Sequence, residues 1–191
     1  MVLKDRILFI TTVEFRPPFN GGTMYSNCIY EALSSQYSVD VIVLKEKRYW
    51  TLGWIHNLAT MFKALISALP VNVIYHSGCH QRSEYDLGVY RHIVLDHVES
   101  TLWLQDYQCR NFVIAHNIEA KLVKDKLENP LLRIIFDLQK RLERYEEACF
   151  SNATGIVCIS ETEQDYVDEC GGNTVALLPA FEAGQGCYQA S

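Results

Sequence analysis

Short apolar runs alternate along the chain with longer segments in which hydrophobic residues recur at helical spacing. Uninterrupted runs of this length are typical of buried parallel strands, and the segments between them are typical of connecting helices. The pattern predicts an α/β fold, a Rossmann-like, doubly wound, mostly parallel sheet of six or seven strands with helices on both faces. The predicted strands are Arg6–Val13, Ser38–Leu44, Asn72–Ser77, Arg91–Glu99, the run that ends before His116, Thr154–Ile159 and Thr174–Pro179. The predicted helices are Thr23–Gln36, Ile55–Leu69, Thr101–Gln108, Glu119–Glu128, Pro130–Asn152 and the segment between Ser160 and Gly171.

One apolar run, Asn111–Ala115, stops abruptly at the polar residues His116, Asn117 and Glu119. The carboxyl ends of parallel strands line the ligand crevice of an open α/β sheet, so these side chains are candidates for a functional site. The alternative interpretation is a simple strand-to-helix turn, with Asn117 as the helix N-cap and Glu119 in the first helical turn. A cap needs no imidazole before it, so His116 is the strongest candidate of the three.

The loop after the first strand ends in the pair Gly21-Gly22, and Thr23 is expected to cap the helix that follows. A glycine pair at a helix N-terminus can offer backbone N–H groups to a phosphate, and the helix dipole adds to the attraction. The loop lacks both G-x-G-x-x-G and G-x-x-x-x-G-K-[ST], which argues against a dinucleotide site or a P-loop. The inner face of this helix is expected to carry Cys28, Ile29, Ala32 and Leu33.

A basic and aromatic segment precedes the helix predicted at Ile55–Leu69, and it contains Lys47, Arg48, Trp50 and Trp54. Cations beside large aromatic rings are typical of a surface that lies on anionic lipid or holds a lipid-linked substrate. The alternative is a core-facing crossover helix with a solvated basic lead-in.

The helix predicted at Pro130–Asn152 also has two faces. One is apolar at helical spacing, and the other is charged, includes Glu146 and is expected to be solvated.

Composition narrows the class of protein. The 191 residues suggest one domain, predicted at 1–180, followed by a tail or interdomain linker at 181–191. A formal net charge of −6 and the lack of a basic-aromatic stripe argue against nucleic acid as a partner. The seven scattered cysteines form no C-x-x-C pair, and we find no signal peptide and no membrane-spanning run; these features predict free thiols in the cytoplasm. His76, Cys79 and His80 straddle a Ser-Gly break, so no metal site is expected.

Three segments together resemble family 4 retaining glycosyltransferases of the GT-B architecture. The opening, Arg6-Ile-Leu-Phe-Ile followed by Pro17-Pro-Phe-Asn-Gly21-Gly22, resembles the first strand and glycine loop of those enzymes. Phe112-Val-Ile-Ala-His116-Asn117-Ile-Glu119 resembles the strand that ends in their active-site histidine, and Ser151-Asn-Ala-Thr-Gly-Ile-Val-Cys-Ile-Ser160-Glu-Thr-Glu resembles a late strand-to-helix segment. The likeness covers residues 5–180.

The resemblance implies a hexosyltransferase that uses a nucleotide sugar as donor, with neither a cofactor nor a metal ion. Gly21 and Gly22 would face the donor diphosphate, His116 would contact the donor sugar and help stabilise the transition state, and Asn117 and Glu119 would lie at the same site. The acceptor would be a saccharide or a lipid-linked sugar, as in polysaccharide biosynthesis. The resemblance therefore also implies a location in the cytoplasm or peripherally at the inner face of the membrane, which would give the basic and aromatic segment an acceptor or membrane role.

The sequence departs from the family pattern at its end. Family members have a second Rossmann-like domain that binds the nucleotide, and this chain stops where that domain should begin. We therefore expect the isolated chain to be inactive and to need a donor-domain partner. Two alternatives remain: a non-catalytic module that binds lipid or saccharide or docks on a membrane, and an unrelated enzyme in which His116 is a general base oriented by Glu119.

Overall fold

A single sheet of six parallel strands forms the centre of the molecule, in the order β2-β1-β3-β4-β5-β6. The computed structural model describes residues 5–44, 62–64, 66–67, 69–70, 73–74, 85–104, 110–126 and 137–178. The strands are Arg6–Thr11 (β1), Ser38–Val43 (β2), His92–Asp96 (β3), Asn111–Ala115 (β4), Gly155–Cys158 (β5) and Thr174–Leu177 (β6). The helices are Gly21–Gln36 (α1), Glu119–Lys126 (α2), Leu138–Asn152 (α3) and Glu161–Glu169 (α4), and Leu87–Val89 and Val98–Leu104 are 3-10 helices. The predicted Rossmann-like α/β fold is confirmed.

The core has two layers because successive residues of a strand point to opposite faces of the sheet. Ile7 and Phe9 of β1 belong to the layer on the α1 side, where Ile29 and Leu33 of that helix pack against them. Leu8 and Ile10 belong to the opposite layer, which buries Trp103 of the second 3-10 helix, Phe150 of α3 and Val167 of α4. Helices thus cover both faces, as expected for a doubly wound sheet.

The order of the strands reverses between β1 and β3. The chain runs outward from β1 to β2, and then returns to the other side of β1 and continues through β3, β4, β5 and β6. In open α/β sheets, ligands bind outside the carboxyl ends of the strands at such a reversal. The residues that pair there are Thr11, the last of β1, and Asp96, the last of β3.

The prediction of a strand at Asn72–Ser77 is wrong for the two residues of this segment that the structure describes. Val73 and Ile74 are buried but helical, and the N–H of Ile74 donates to the carbonyl of Pro70 over 3.2 Å. A short apolar run does not distinguish a buried strand from a buried helical turn. Thus Pro70, which was expected to end a helix, accepts a helical hydrogen bond from a segment that was expected to be a strand.

Several helix boundaries and faces also differ from the predictions. Within the helix predicted at Pro130–Asn152, the described residues begin at Asp137, which has a left-handed φ of 41°, and α3 begins at the next residue. Of the helix predicted at Thr101–Gln108, the structure describes residues 101–104, and these belong to a 3-10 helix that begins at Val98. Ala32, predicted on the inner face of α1, is exposed. Within the described ranges, every helix is too short or too polar to cross a lipid bilayer.

Candidate functional site

The N-terminus of α1 is closed by a capping box. Oδ1 of Asn20 accepts a hydrogen bond from the Thr23 N–H (2.9 Å), and Oγ1 of Thr23 accepts one from the Asn20 N–H (3.0 Å). Asn20 is therefore the cap, whereas the sequence predicted Thr23, which lies three residues further along. The reason is that the glycine pair is helical: Gly21 and Gly22 form the start of the first turn. Their N–H groups belong to the first turn of a helix, where no carbonyl of the helix can accept them.

His116 follows β4 and is buried, with 3% of its surface exposed. Its Nε2 lies 2.5 Å from Oδ1 of Asp96, the last residue of the neighbouring strand β3, and the Asp96 side chain is completely buried. The parallel pairing of β3 with β4 brings the two residues to the same edge of the sheet. The partner that orients His116 is thus Asp96, and not Glu119 as the unrelated-enzyme alternative assumed.

Asp96 also accepts hydrogen bonds from two hydroxyl groups. Oγ1 of Thr11 donates to Oδ2 over 2.7 Å, and Oγ of Ser26, on α1, lies 2.9 Å from the same oxygen. Burial by itself would raise the pKa of this carboxyl, but the hydrogen bond from His116, the nearby rings of His97 and His116, and the Thr11 hydroxyl outweigh it. The pKa of Asp96 therefore lies below its usual value, and the residue is an ionised carboxylate inside the protein.

The second nitrogen of His116, Nδ1, faces α1. A Cβ atom added to Gly22 would lie 3.8 Å from Nδ1 and 3.6 Å from Oδ1 of Asn20. Nδ1 is buried and has no hydrogen-bond partner among the residues that the structure describes. The structure thus places two of the predicted site residues, Gly22 and His116, beside each other at the strand-order reversal.

His97 packs against His116. Its φ of 75° is in the left-handed region, which is uncommon for a residue with a Cβ and is often found at functional sites. Its ring stacks on that of His116, with 4.2 Å between ring centroids and 26° between ring planes. The carboxyl end of β3 therefore contributes two successive residues, Asp96 and His97, that contact the same imidazole.

Asp96, His97 and His116 also form the one group of potential metal ligands in the described ranges, with ligand atoms within 4.8 Å of one another. A metal ion bound by imidazole lies in the ring plane, on the axis of the nitrogen lone pair. The two rings are stacked nearly parallel, and Nε2 of His116 already donates to Asp96. This arrangement favours a hydrogen-bonded network over a shared metal ion.

Asn117 and Glu119 have different surroundings from His116. Asn117 is exposed, and α2 begins at Glu119, so Asn117 lies one residue before the N-cap position. The acceptor at this helix end is the carboxylate of Glu146 on α3, which binds the N–H of Glu119 over 2.6 Å and the N–H of Ala120 over 3.4 Å.

Glu146 itself is fully buried, which corrects the expectation of a solvated face. Burial raises its pKa to about 7, although the hydrogen bonds that it accepts from Glu119, Tyr166 and Ala120 act in the opposite direction.

Sequence reasoning did not assign Asp96, His97, Ser26 or Thr11 to the site. A signal for the first two was present, because Asp96 and His97 directly follow an apolar run, as His116 does. No comparable signal marks Ser26, a small polar residue within a helix. Lys47, Arg48, Trp50 and Trp54 lie outside the described residues, as do His76, Cys79 and His80. Comparison of the sequence with models of known protein families and with curated proteins finds no match.

Proposed function

We propose that this chain is the N-terminal, acceptor-side half of a glycosyltransferase that transfers a hexose from a nucleotide sugar to a saccharide or a lipid-linked acceptor. The observation that supports this proposal is the position of Gly22 beside Nδ1 of His116, at the carboxyl edge of the sheet where the strand order reverses. This nitrogen has no hydrogen-bond partner in the described part of the chain. This position combines a helix N-terminus, which attracts anions, with a polar ring atom.

The diphosphate of the donor would bind at the start of α1. The N–H groups of Gly21 and Gly22 lie in the first turn there, and the dipole of this 16-residue helix favours negative charge at the same end. Glycine suits this role because a phosphate must approach the backbone closely. A Cβ on Gly21 would meet no atom of the described residues within 4 Å.

The donor sugar would contact His116. When the His116 ring carries its only proton on Nε2, facing Asp96, Nδ1 is a hydrogen-bond acceptor, and a sugar hydroxyl is a suitable donor for it. Phosphate oxygens at the glycine N–H groups and a hydroxyl at Nδ1 would hold the two ends of a sugar phosphate. The nucleotide itself would require a second domain, so the isolated chain should bind donor weakly and turn over little or none of it.

The test is a titration of the 191-residue chain with UDP-glucose, GDP-mannose and inorganic pyrophosphate, followed by amide NMR spectra. The expected result is that the signals of Gly21, Gly22 and the residues around His116 shift with at least one nucleotide sugar. Gly22→Ala, which places a methyl group in front of Nδ1, should weaken this binding, whereas Gly21→Ala, where the methyl group meets no atom of the described residues within 4 Å, should weaken it less. Shifts confined to another surface, or equal binding by the wild type and Gly22→Ala, would contradict the proposal. Turnover of a nucleotide sugar by the chain alone would show that transfer needs no second domain.

Membrane docking is a second candidate, and one observation favours it. Phe62 and Ile66 lie four residues apart in helical backbone and are 66% and 73% exposed. On a helix, residues with this spacing share one face. Co-sedimentation with anionic lipid vesicles tests this function: Phe62→Ser/Ile66→Ser should release the chain from vesicles, whereas Gly22→Ala should not. Equal sedimentation of all three proteins would exclude this role for the exposed pair.

A further inference from the structure

We infer that Asp96 and His97 are positioning residues that hold the His116 ring in one tautomer and one plane, so that Nδ1 is presented to a hydroxyl donor of the ligand. The identity of that ligand as a sugar rests on the proposed function. The positioning itself depends only on the contacts among the three side chains.

Asp96 determines the tautomer. Its carboxylate is anchored from two other elements, because Thr11 at the end of β1 and Ser26 on α1 both bind Oδ2. The other oxygen, Oδ1, lies 2.5 Å from Nε2 of His116 and 3.1 Å from Oγ of Ser26. An ionised carboxylate can only accept hydrogen bonds, so Nε2 must be the nitrogen that carries the proton. The proton of a neutral His116 is therefore held away from Nδ1.

His97 determines the plane of the ring. An imidazole can rotate about its Cβ–Cγ bond, and a half-turn would exchange Nδ1 with a carbon atom on the side of Gly22. The ring of His97 occupies the space on one face of His116 through which the ring atoms would sweep. His97 occupies this place with a left-handed φ of 75°.

Together the two residues select the kind of group that Nδ1 can bind. An acceptor nitrogen beside Gly22 favours a ligand hydroxyl and disfavours a bare phosphate oxygen, which is itself an acceptor. The phosphate would then lie at the glycine N–H groups and the sugar hydroxyl at His116. This assignment gives the two parts of the site different specificities, although they are only a few ångströms apart.

The experiment is a long-range ¹H–¹⁵N NMR spectrum of the histidine rings in the ligand-free 191-residue chain at neutral pH. The expected spectrum of the wild type shows His116 in the Nε2–H form alone. Asp96→Asn should shift the proton toward Nδ1, because a carboxamide can donate to Nε2. His97→Gly and His97→Asn both tolerate the left-handed backbone but remove the ring, and each should increase ring motion, seen as broadened or averaged His116 signals.

The matched control is His92→Asn. His92 begins β3, at the opposite end of the strand from the site, and its ring packs against Phe112. This variant should leave the His116 spectrum unchanged. If Asp96→Asn does not fold, Ser26→Ala removes one of the donors that anchor Asp96 and should produce a smaller change of the same sign.

A wild-type spectrum with a proton on Nδ1, or a His116 signal that is indifferent to both His97 variants, would overturn the inference. The measurement requires no ligand, so its failure is distinct from failure of the proposed function. If the tautomer behaves as expected and no nucleotide sugar binds, the positioning stands and the proposed function is wrong.

Discussion

Nε2 of His116 and Oδ1 of Asp96 lie 2.5 Å apart, at a place where only 2% of the histidine side chain and none of the aspartate side chain is exposed. A buried carboxylate is tolerated only when donors replace the water that it has lost. Here His116, Thr11 and Ser26 supply those donors from β4, β1 and α1. The polar centre of the candidate site is therefore also a junction between the sheet and its first helix.

Asp96→Asn should destabilise the fold in a way that depends on pH. The pKa of Asp96 is lowered in the folded state, so its contribution to the free energy of unfolding is present above the unfolded pKa of about 4 and is lost as pH falls through the folded value. We expect a loss of roughly 2–4 kcal/mol at neutral pH and a smaller loss in acid. Urea denaturation of the two proteins over a pH series measures this difference.

The control for that series is Asp40→Asn. Asp40 forms a 2.6 Å ion pair with Arg6, but 43% of its side chain is exposed. An exposed pair contributes about 0–1 kcal/mol, so this variant should remain close to the wild type. If the loss of unfolding free energy in Asp96→Asn stays constant from neutral pH to strong acid, the charge of Asp96 is not the cause of that loss.

The stability of the protein should respond in opposite ways to alanine at Gly155 and at Gly22. A Cβ on Gly155 would lie 2.7 Å from Cγ1 of Val175 and 3.0 Å from the Phe112 ring, so Gly155→Ala should cost about 1–3 kcal/mol of stability through overpacking. A Cβ on Gly22 meets only ordinary contacts, at 3.6 Å or more, so Gly22→Ala should leave stability unchanged or raise it slightly. Thermal unfolding of both variants checks the contrast, and a large loss for Gly22→Ala would mean that its effect on binding cannot be separated from folding.

Much of the fold could be predicted because the central strands β1, β3 and β4 are uninterrupted apolar runs. β1 and β3 are buried on both faces, so their sequences contain no alternation that could be mistaken for a helix. The prediction failed at Val73 and Ile74, which are buried in a helical turn, because burial alone makes a short sequence apolar in either conformation. It failed again at Asp137, whose left-handed backbone leaves no mark on the helical periodicity around it.

The sequence predicted only some of the residues of the candidate site. His116 and the glycine pair stand out because they interrupt apolar or helical patterns. The role of Asp96 depends on the pairing of β3 with β4, which the order of elements along the chain does not state. Glu146 was assigned to a solvated helix face, since nothing local shows that its carboxylate binds the N-terminus of α2.

Phe19 offers a test of which aromatic rings stabilise the fold. It immediately precedes the Asn20 cap, a position where an apolar side chain often packs against the helix, yet Phe19 is 71% exposed. Phe19→Ser should therefore change stability by no more than about 0.5 kcal/mol. Phe15, four residues earlier, is 3% exposed and packs against Phe9 and Tyr30, so Phe15→Ala should cost about 3–5 kcal/mol. Equal losses in chemical denaturation would show that Phe19 packs against the protein in solution.

Glu146→Gln should also change how stability depends on pH. The contribution of Glu146 to the free energy of unfolding falls as pH rises, whereas that of Asp96 increases. The pKa of Glu146 is raised to about 7 in the folded state because the carboxyl group is buried. In the unfolded chain its value is about 4.3, so the folded state binds the proton more tightly. The contribution of this group is fully present below about pH 4 and is lost as pH rises through about 7, a change on the order of 3 kcal/mol.

The carboxamide introduced by Glu146→Gln keeps an acceptor for the N–H of Glu119 but cannot ionise, so the variant should gain stability relative to the wild type as pH rises from about 4 to about 8. Glu147→Gln is the matched control, because Glu147 is the next residue of α3 and is exposed. Urea denaturation of the three proteins at several pH values gives the comparison. Parallel curves for the wild type and Glu146→Gln would show that Glu146 titrates as an ordinary carboxyl group, and that its contact with the N-terminus of α2 does not depend on a buried charge.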